Sequence, residues 1–116
     1  MTEETHVTAM RNQYRAMAMD WDAARDDPQK ANRLFKAHHA FYKAIRDSSA
    51  GREAISGLLA DPVTPVRLLA ATHSLRWDPQ RAQAALEEIE REDNLFAVDA
   101  KWTLHSFRSG KLDLDW

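Results

Sequence analysis

Apolar residues recur along this chain with the period of an α-helix. Val7, Met10, Tyr14, Met17 and Trp21 are spaced 3, 4, 3 and 4 residues apart. That is one stripe of a helix, predicted over 5–25. Ala31, Leu34, Phe35, Phe41, Tyr42 and Ile45 line a second helix over 28–47. A short third helix carries Ala54, Ile55, Leu58 and Leu59, and a fourth carries Val66, Leu69, Ala70 and Leu75. In the fifth, Ala82, Ala85, Leu86 and Ile89 repeat the i, i+3, i+4, i+7 pattern. The sixth has Ala97, Ala100, Leu104 and Phe107, with a second arc of Leu95, Val98 and Trp102. So wide an apolar arc predicts a helix covered on two sides. Only the last residues alternate: Leu112, Leu114 and Trp116 against Lys111, Asp113 and Asp115. With no partner strand in view, they predict an extended tail with its apolar edge laid on the sixth helix.

Proline and glycine punctuate these segments. Pro28, Pro65 and Pro79 follow Asp27, Thr64 and Asp78. A side-chain oxygen that accepts an orphan N–H, followed by a residue with helical φ and no N–H, is a helix start. Asp27, Thr64 and Asp78 are therefore predicted N-caps, and Asp61-Pro62 a turn before Thr64. Gly110 predicts a left-handed stop after the sixth helix.

Short connections make consecutive helices antiparallel neighbours. The stretch from Asp61 through Val66-Arg67 to Ala70-Ala71 resembles the D-x-x-x-x-V-R-x-x-A-A core of a HEAT-like repeat. Its small alanines admit a close neighbouring helix, and Arg67 can reach toward the aspartate that opens a turn. The predicted architecture is all-α: six helices as three antiparallel hairpins in a right-handed HEAT/ARM-like superhelix, with a short extended C-terminal tail. One domain spans 1–116, with an N-terminal hairpin (5–47), a HEAT-like part (51–110) and a tail (111–116).

The C-terminal half is more specific. Val66-Arg67-Leu68-Leu69-Ala70-Ala71, Asp78-Pro79 with Ala82 and Leu86, and Ala100-Lys101-Trp102-Thr103-Leu104 resemble a small bacterial HEAT-like family of domains of unknown function (number twenty-nineteen). Phe107, Gly110 and Leu112 close the resemblance, which covers about 54–112. It implies a helical scaffold that offers a surface to another macromolecule, and it carries no catalytic residues. Small bacterial helical-repeat proteins of this kind also resemble immunity proteins, which neutralise a toxin encoded beside them; that step is analogy.

Composition narrows the chemistry. The 116 residues include no cysteine, so thiolate zinc sites, disulfides and redox motifs are excluded. Three glycines, at 51, 57 and 110, supply neither a phosphate loop nor a dinucleotide fingerprint. His6, His38, His39, His73 and His105 form no i, i+3 or i+4 pair, and a half-buried, hydrogen-bonded role is predicted for His38, His73 and His105. Asp99 is the one acid in an otherwise apolar stretch, with Arg67, Lys101 or water as its partner. No catalytic residue, cofactor or metal is predicted. No apolar run approaches a membrane span, and the polar, acidic start is unlike a signal peptide, so a cytoplasmic protein is expected.

Charge is the stronger lead. The net charge is −2, from 16 basic and 18 acidic residues. From 28 to 60, Lys30, Arg33, Lys36, Lys43, Arg46 and Arg52 face only Asp47 and Glu53, whereas the chain from 78 onward is acidic. Glu87, Glu88, Glu90, Glu92 and Asp93 crowd the end of the fifth helix, where they oppose the helix dipole. The ordinary reading is a solvated helix face; the sharper one is a docking surface for a basic partner. Trp21 and Trp102 fit core stripes, and Trp77 and Trp116 are candidate anchors. The candidate partner-binding set is therefore Glu87, Glu88, Glu90, Glu92, Asp113, Asp115, Trp77 and Trp116. The expected function is a non-enzymatic protein-interaction module, most concretely an immunity protein that blocks a basic toxin domain's active site. The alternatives are a nucleic-acid binder working through Arg33, Lys36, Lys43 and Arg46, and a self-associating structural protein.

Overall fold

The computed structural model describes residues 2–116, and among these residues it has six α-helices and no strand. In chain order they are α1 (Glu3–Ala23), α2 (Pro28–Ile45), α3 (Ser49–Ser56), α4 (Thr64–Ser74), α5 (Pro79–Arg91) and α6 (Phe96–Arg108). The all-α prediction and its six helices hold. Among the described residues, no helix is long and apolar enough to cross a membrane.

The helix starts agree with the sequence in part. Asp27 caps α2, accepting from the Lys30 N–H at 3.2 Å, and Asp61 turns the chain by accepting from the Val63 N–H at 2.9 Å. Thr64 is not the predicted cap. It is the first residue of α4, with Val63 at the cap position, and its hydroxyl accepts instead from Arg67 at 2.8 Å. Asp78 sits at the cap of α5 but makes no cap hydrogen bond; its carboxylate pairs with Arg81 at 3.1 Å. In both cases a nearby guanidinium competes successfully with the backbone donor, because a charge-assisted bond is the stronger one. Gly110, at φ 73°, ends α6. There the Lys111 N–H donates to the Ser106 carbonyl at 2.8 Å and the Gly110 N–H to the Phe107 carbonyl at 3.1 Å, a Schellman stop.

The chain divides into two compact units, one ending at Gly57 and one spanning Leu58–Trp116. In the first, α1 packs against both α2 and α3. Its interior holds Val7, Tyr14, Ala18, Tyr42, Ile45 and Ile55 together with His38 and His39, all buried. Arg11 reaches from α1 to the end of α3, where Nε donates to the Ala54 carbonyl and Nη2 to the Glu53 carbonyl, each at 3.1 Å. A cation on the last carbonyls of a helix satisfies orphan acceptors and complements the dipole. Gly57 makes room for that guanidinium, and Gly51 for the Ile45 carbonyl, which a Cβ would overlap.

In the second unit, α5 packs against both α4 and α6. Leu68 of α4, Leu75 just past it, Leu86 and Ile89 of α5 and Leu104 of α6 belong to one buried apolar cluster. Ala70, Ala71, Ala82 and Ala100 are fully buried, small enough for close helix approach. Leu112 and Leu114 of the tail lie half-buried against the cluster.

Two predictions of burial fail on α6. Leu95 and Val98 are each 58% exposed and Trp102 is 57% exposed. The helix buries Ala100 and Leu104, on its opposite side, and nothing in the unit covers the second arc. His105 is likewise exposed and meets Trp102 edge-on, with ring centroids 5.7 Å apart. By contrast His38 and His73 are buried outright rather than halfway.

Candidate interaction surface

The acidic residues singled out above meet different fates. Glu92, just past α5, is tied inward: Arg67 Nη2 donates to Oε1 at 2.7 Å and the Thr64 hydroxyl to Oε2 at 3.4 Å. That hydrogen bond and the Arg67 charge hold the Glu92 carboxyl below its ordinary range. The carboxylate joins the start of α4 to the end of α5, so it is structural first. The sequence placed an aspartate in that role; the structure gives Arg67 a glutamate, and Asp99 is exposed on α6. Asp115 is also engaged, with Arg76 at 2.8 Å, which fixes the tail to the end of α4. Asp113 Oδ1 accepts from the Asp115 N–H at 2.8 Å, shaping the tail itself.

Glu87 lies 3.5 Å from Arg108 across the α5–α6 seam, and Arg108 also donates to Gln83 at 3.0 Å. Glu88 and Glu90 are exposed, as is Asp93 beyond the helix. An open hollow of about 430 Å³ runs along the other edge of α5, lined by Leu59, Ala84, Glu87, Glu88, Arg81 and Arg91 among others. It holds charge of both signs over an apolar floor. Trp77 is half-buried at the junction of α4 and α5, and Trp116 is 51% exposed at the end of the tail. Of the candidate set, Glu88 and Glu90 therefore face solvent on either side of Glu87, Glu92 is tied inward to Arg67, and Asp115 makes an exposed ion pair with Arg76.

The basic helix is less basic in practice than in sequence. Arg46 lies over the Tyr42 ring at 5.1 Å, and its Nη1 donates to the Tyr42 hydroxyl at 3.1 Å. Lys43 is half-buried, leaving Lys30, Arg33 and Lys36 exposed on α2. Among the described residues, no group of three or more His, Asp or Glu side chains is placed to hold a metal ion.

Sequence reasoning missed the buried polar core of the first unit. The Tyr14 and His38 rings meet at 59° with centroids 4.1 Å apart, and the His39 and Tyr42 rings lie 5.2 Å apart. Burial pushes the His38 imidazole down to about 4, against a hydrogen bond to the Tyr14 backbone that opposes the shift. Burial also raises the Tyr14 hydroxyl well above its ordinary value. Adjacent side chains point about 100° apart on a helix, yet His38 and His39 are both buried.

The chain belongs to the family described as a domain of unknown function (DUF2019), which matches residues 13–108. The match starts earlier than the motifs over 54–112 suggested: it takes in the second half of α1 and all of α2, and it ends before the tail. No curated protein and no solved structure matches the chain.

Proposed function

We propose that this member of the DUF2019 family is a non-enzymatic interaction module whose working surface is the outer side of α5. The observation that carries the reading is the run of carboxylates round the outer side of α5: Glu87 and Glu88 line an open hollow with an apolar floor, and Glu90 is exposed on the other side of Glu87. Such a surface suits a basic protein partner: carboxylates attract it from a distance and the floor supplies contact area. The most concrete form of the reading is an immunity protein in the cytoplasm, its carboxylates standing in for the phosphates of a toxin's nucleic-acid substrate. The finer architecture that would suit this role is the HEAT-like superhelix of three hairpins. Glu92 contributes to it by tying the start of α4 to the end of α5.

The test is co-expression with the product of the adjacent gene, followed by association kinetics on the purified pair. Glu87→Lys, Glu88→Lys and Glu90→Lys together should slow association about tenfold or more and flatten its dependence on salt. Unchanged kinetics would remove α5 from the account. Binding to duplex DNA at moderate salt would favour the nucleic-acid reading instead. The engagement of Arg46 with Tyr42 and the half-burial of Lys43 weigh against that outcome.

A further inference from the structure

Seven residues of a helix make two turns less about 20°, so residues at that spacing share a flank. On the outer side of α5, Arg81 and Glu88 stand seven apart, both exposed and both on the same side of the exposed Ala84. The two charges line the open hollow beside the helix, with Ala84 and Ala85 between them and Leu59 and Ala60 beyond. Alanines let a second helix come close, while the longer charged side chains reach along it. Arg81 bonds Asp78 at 3.1 Å, yet its side chain stays 64% exposed. On the opposite flank Gln80 and Glu87 repeat the spacing, an amide and a carboxylate seven apart.

Two copies of a helix crossing antiparallel about a twofold axis set each flank against the same flank of the other, run backwards. Such a surface complements itself only when opposite groups share a flank and lie evenly about the axis. Arg81 and Glu88 meet both conditions for an axis between Ala84 and Ala85. We propose that the outer side of α5 binds a second copy of this chain, two α5 helices crossing antiparallel at these alanines. Arg81 of each copy then falls opposite Glu88 of the other. On the opposite flank, Gln80 of each copy falls within about one residue of the Glu87 carboxylate of the other, an acceptor for its amide. The contact is isologous, so it closes at two copies. One helix of 13 residues per copy, about 20 Å long, makes less than a standard interface, so the dimer is weak and follows concentration. It covers Glu88, so a second copy and a basic partner exclude each other, and dilution frees the surface. That consequence rests on the reading of α5 as the working surface; the dimer itself does not, and it is measured with no partner present.

Sedimentation velocity on the full chain, from about 1 µM to about 1 mM, tests this. The expected result is a monomer–dimer equilibrium with a Kd between about 10 µM and about 1 mM, tighter at low salt than at high. Arg81→Glu sets glutamate against glutamate, and Glu88→Arg sets arginine against arginine. Each should weaken the dimer at least about tenfold, with the helical circular dichroism unchanged. An equimolar mixture of the two variants should dimerise again, as should the double variant alone, because each arrangement restores both opposite pairs. A monomer at every concentration would overturn the proposal. So would a loss that neither the mixture nor the double variant rescues. A dimer indifferent to both reversals would overturn it too, placing the contact elsewhere, as on the exposed ridge of Leu95, Val98 and Trp102 on α6. Failure of a basic partner to bind α5 would remove the regulatory consequence and leave the dimer standing.

Discussion

Up to Gly57 the interior is built around polar rings: Tyr14 against His38, His39 against Tyr42, and Arg46 capping the Tyr42 hydroxyl. From Leu58 onward the central cluster is leucine, isoleucine and alanine, and the polar tie is placed at its edge, where Arg67, Thr64 and Glu92 meet. Both units are three helices deep with one helix touching the other two, yet their stability has different origins. A polar interior holds only while each donor and acceptor keeps its partner and each ring its charge state. An apolar one holds through volume and shape. The first unit should therefore be sensitive to pH and to the second unit's mutations insensitive in kind, while the second should respond to lost methylenes.

The largest expected effect is in the apolar cluster. Leu86 is fully buried, and Leu86→Ala should cost about 2–5 kcal/mol, read as a drop in the urea midpoint. The matching change in the first unit is an addition, not a deletion. Gly51→Ala drives a methyl into the Ile45 carbonyl, which backbone cannot yield as a side chain could, and should cost about 3 kcal/mol. Gly57→Ala meets the movable end of Arg11 instead and should cost less, through the loss of the bonds from Arg11 to the Glu53 and Ala54 carbonyls. Equal costs for the two glycine variants would contradict this account of the first unit.

The acid response sharpens the comparison next. His38 is neutral in the folded chain down to about pH 4, whereas the unfolded chain takes up a proton near pH 6.5. A depressed folded value means that the stabilisation is complete above pH 6.5 and declines as pH falls from there to about 4. The loss should reach about 3 kcal/mol. His38→Gln keeps a polar side chain that does not titrate, so it should flatten that slope between pH 6.5 and 4. Hydrogen exchange should show the slope in amides of α1 and α2. A slope that persists in His38→Gln would move its origin elsewhere.

These contrasts were unequally visible in the sequence. The six helices followed from apolar spacing and from Asp27, Asp61 and Gly110, because those signals are local. Thr64 was misread, and Asp78 holds the expected cap position without its cap bond, because Arg67 and Arg81, within one turn, compete for the same oxygens, and a propensity rule counts only the backbone donor. The ridge on α6 was legible as apolar but not as uncovered. Periodicity reports which residues share a face, not whether another element of the same chain lies over it. The tie of Glu92 to Arg67 joins residues 25 apart in sequence, a distance over which no local pattern speaks. The acidity of α5 was plain, but the division into solvent-facing Glu88 and Glu90 and engaged Glu92 depends on where α4 begins.

That tie sets the third expectation. Arg67→Ala leaves the Glu92 carboxylate and the Thr64 hydroxyl without their guanidinium. Glu92 is about a third exposed at 32%, so water recovers part of the loss, and the cost should be about 1–2 kcal/mol. The Glu92 carboxyl titrates below its ordinary value when folded. Its contribution is therefore present above the ordinary carboxylate range and is lost as pH falls through the lowered folded value. Glu92→Gln should remove that acid dependence while leaving the His38 step intact. The two steps would then be separable by unit as well as by pH.

The smallest effect belongs to the stop of α6. Gly110 has φ 73°, and a Cβ there meets nothing within 4 Å, so Gly110→Ala is a backbone change with no packing component. The cost of a left-handed alanine is about 1 kcal/mol. Gly110→Asn should recover part of it, since asparagine tolerates this conformation better. The Lys111 bond to the Ser106 carbonyl, which leads the chain from the helix into Leu112 and Leu114, weakens in the alanine variant. Tail amides should then exchange faster than those of α4 and α5. If α5 loosens as much as the tail, Leu112 and Leu114 are part of what closes the apolar cluster, not merely laid upon it.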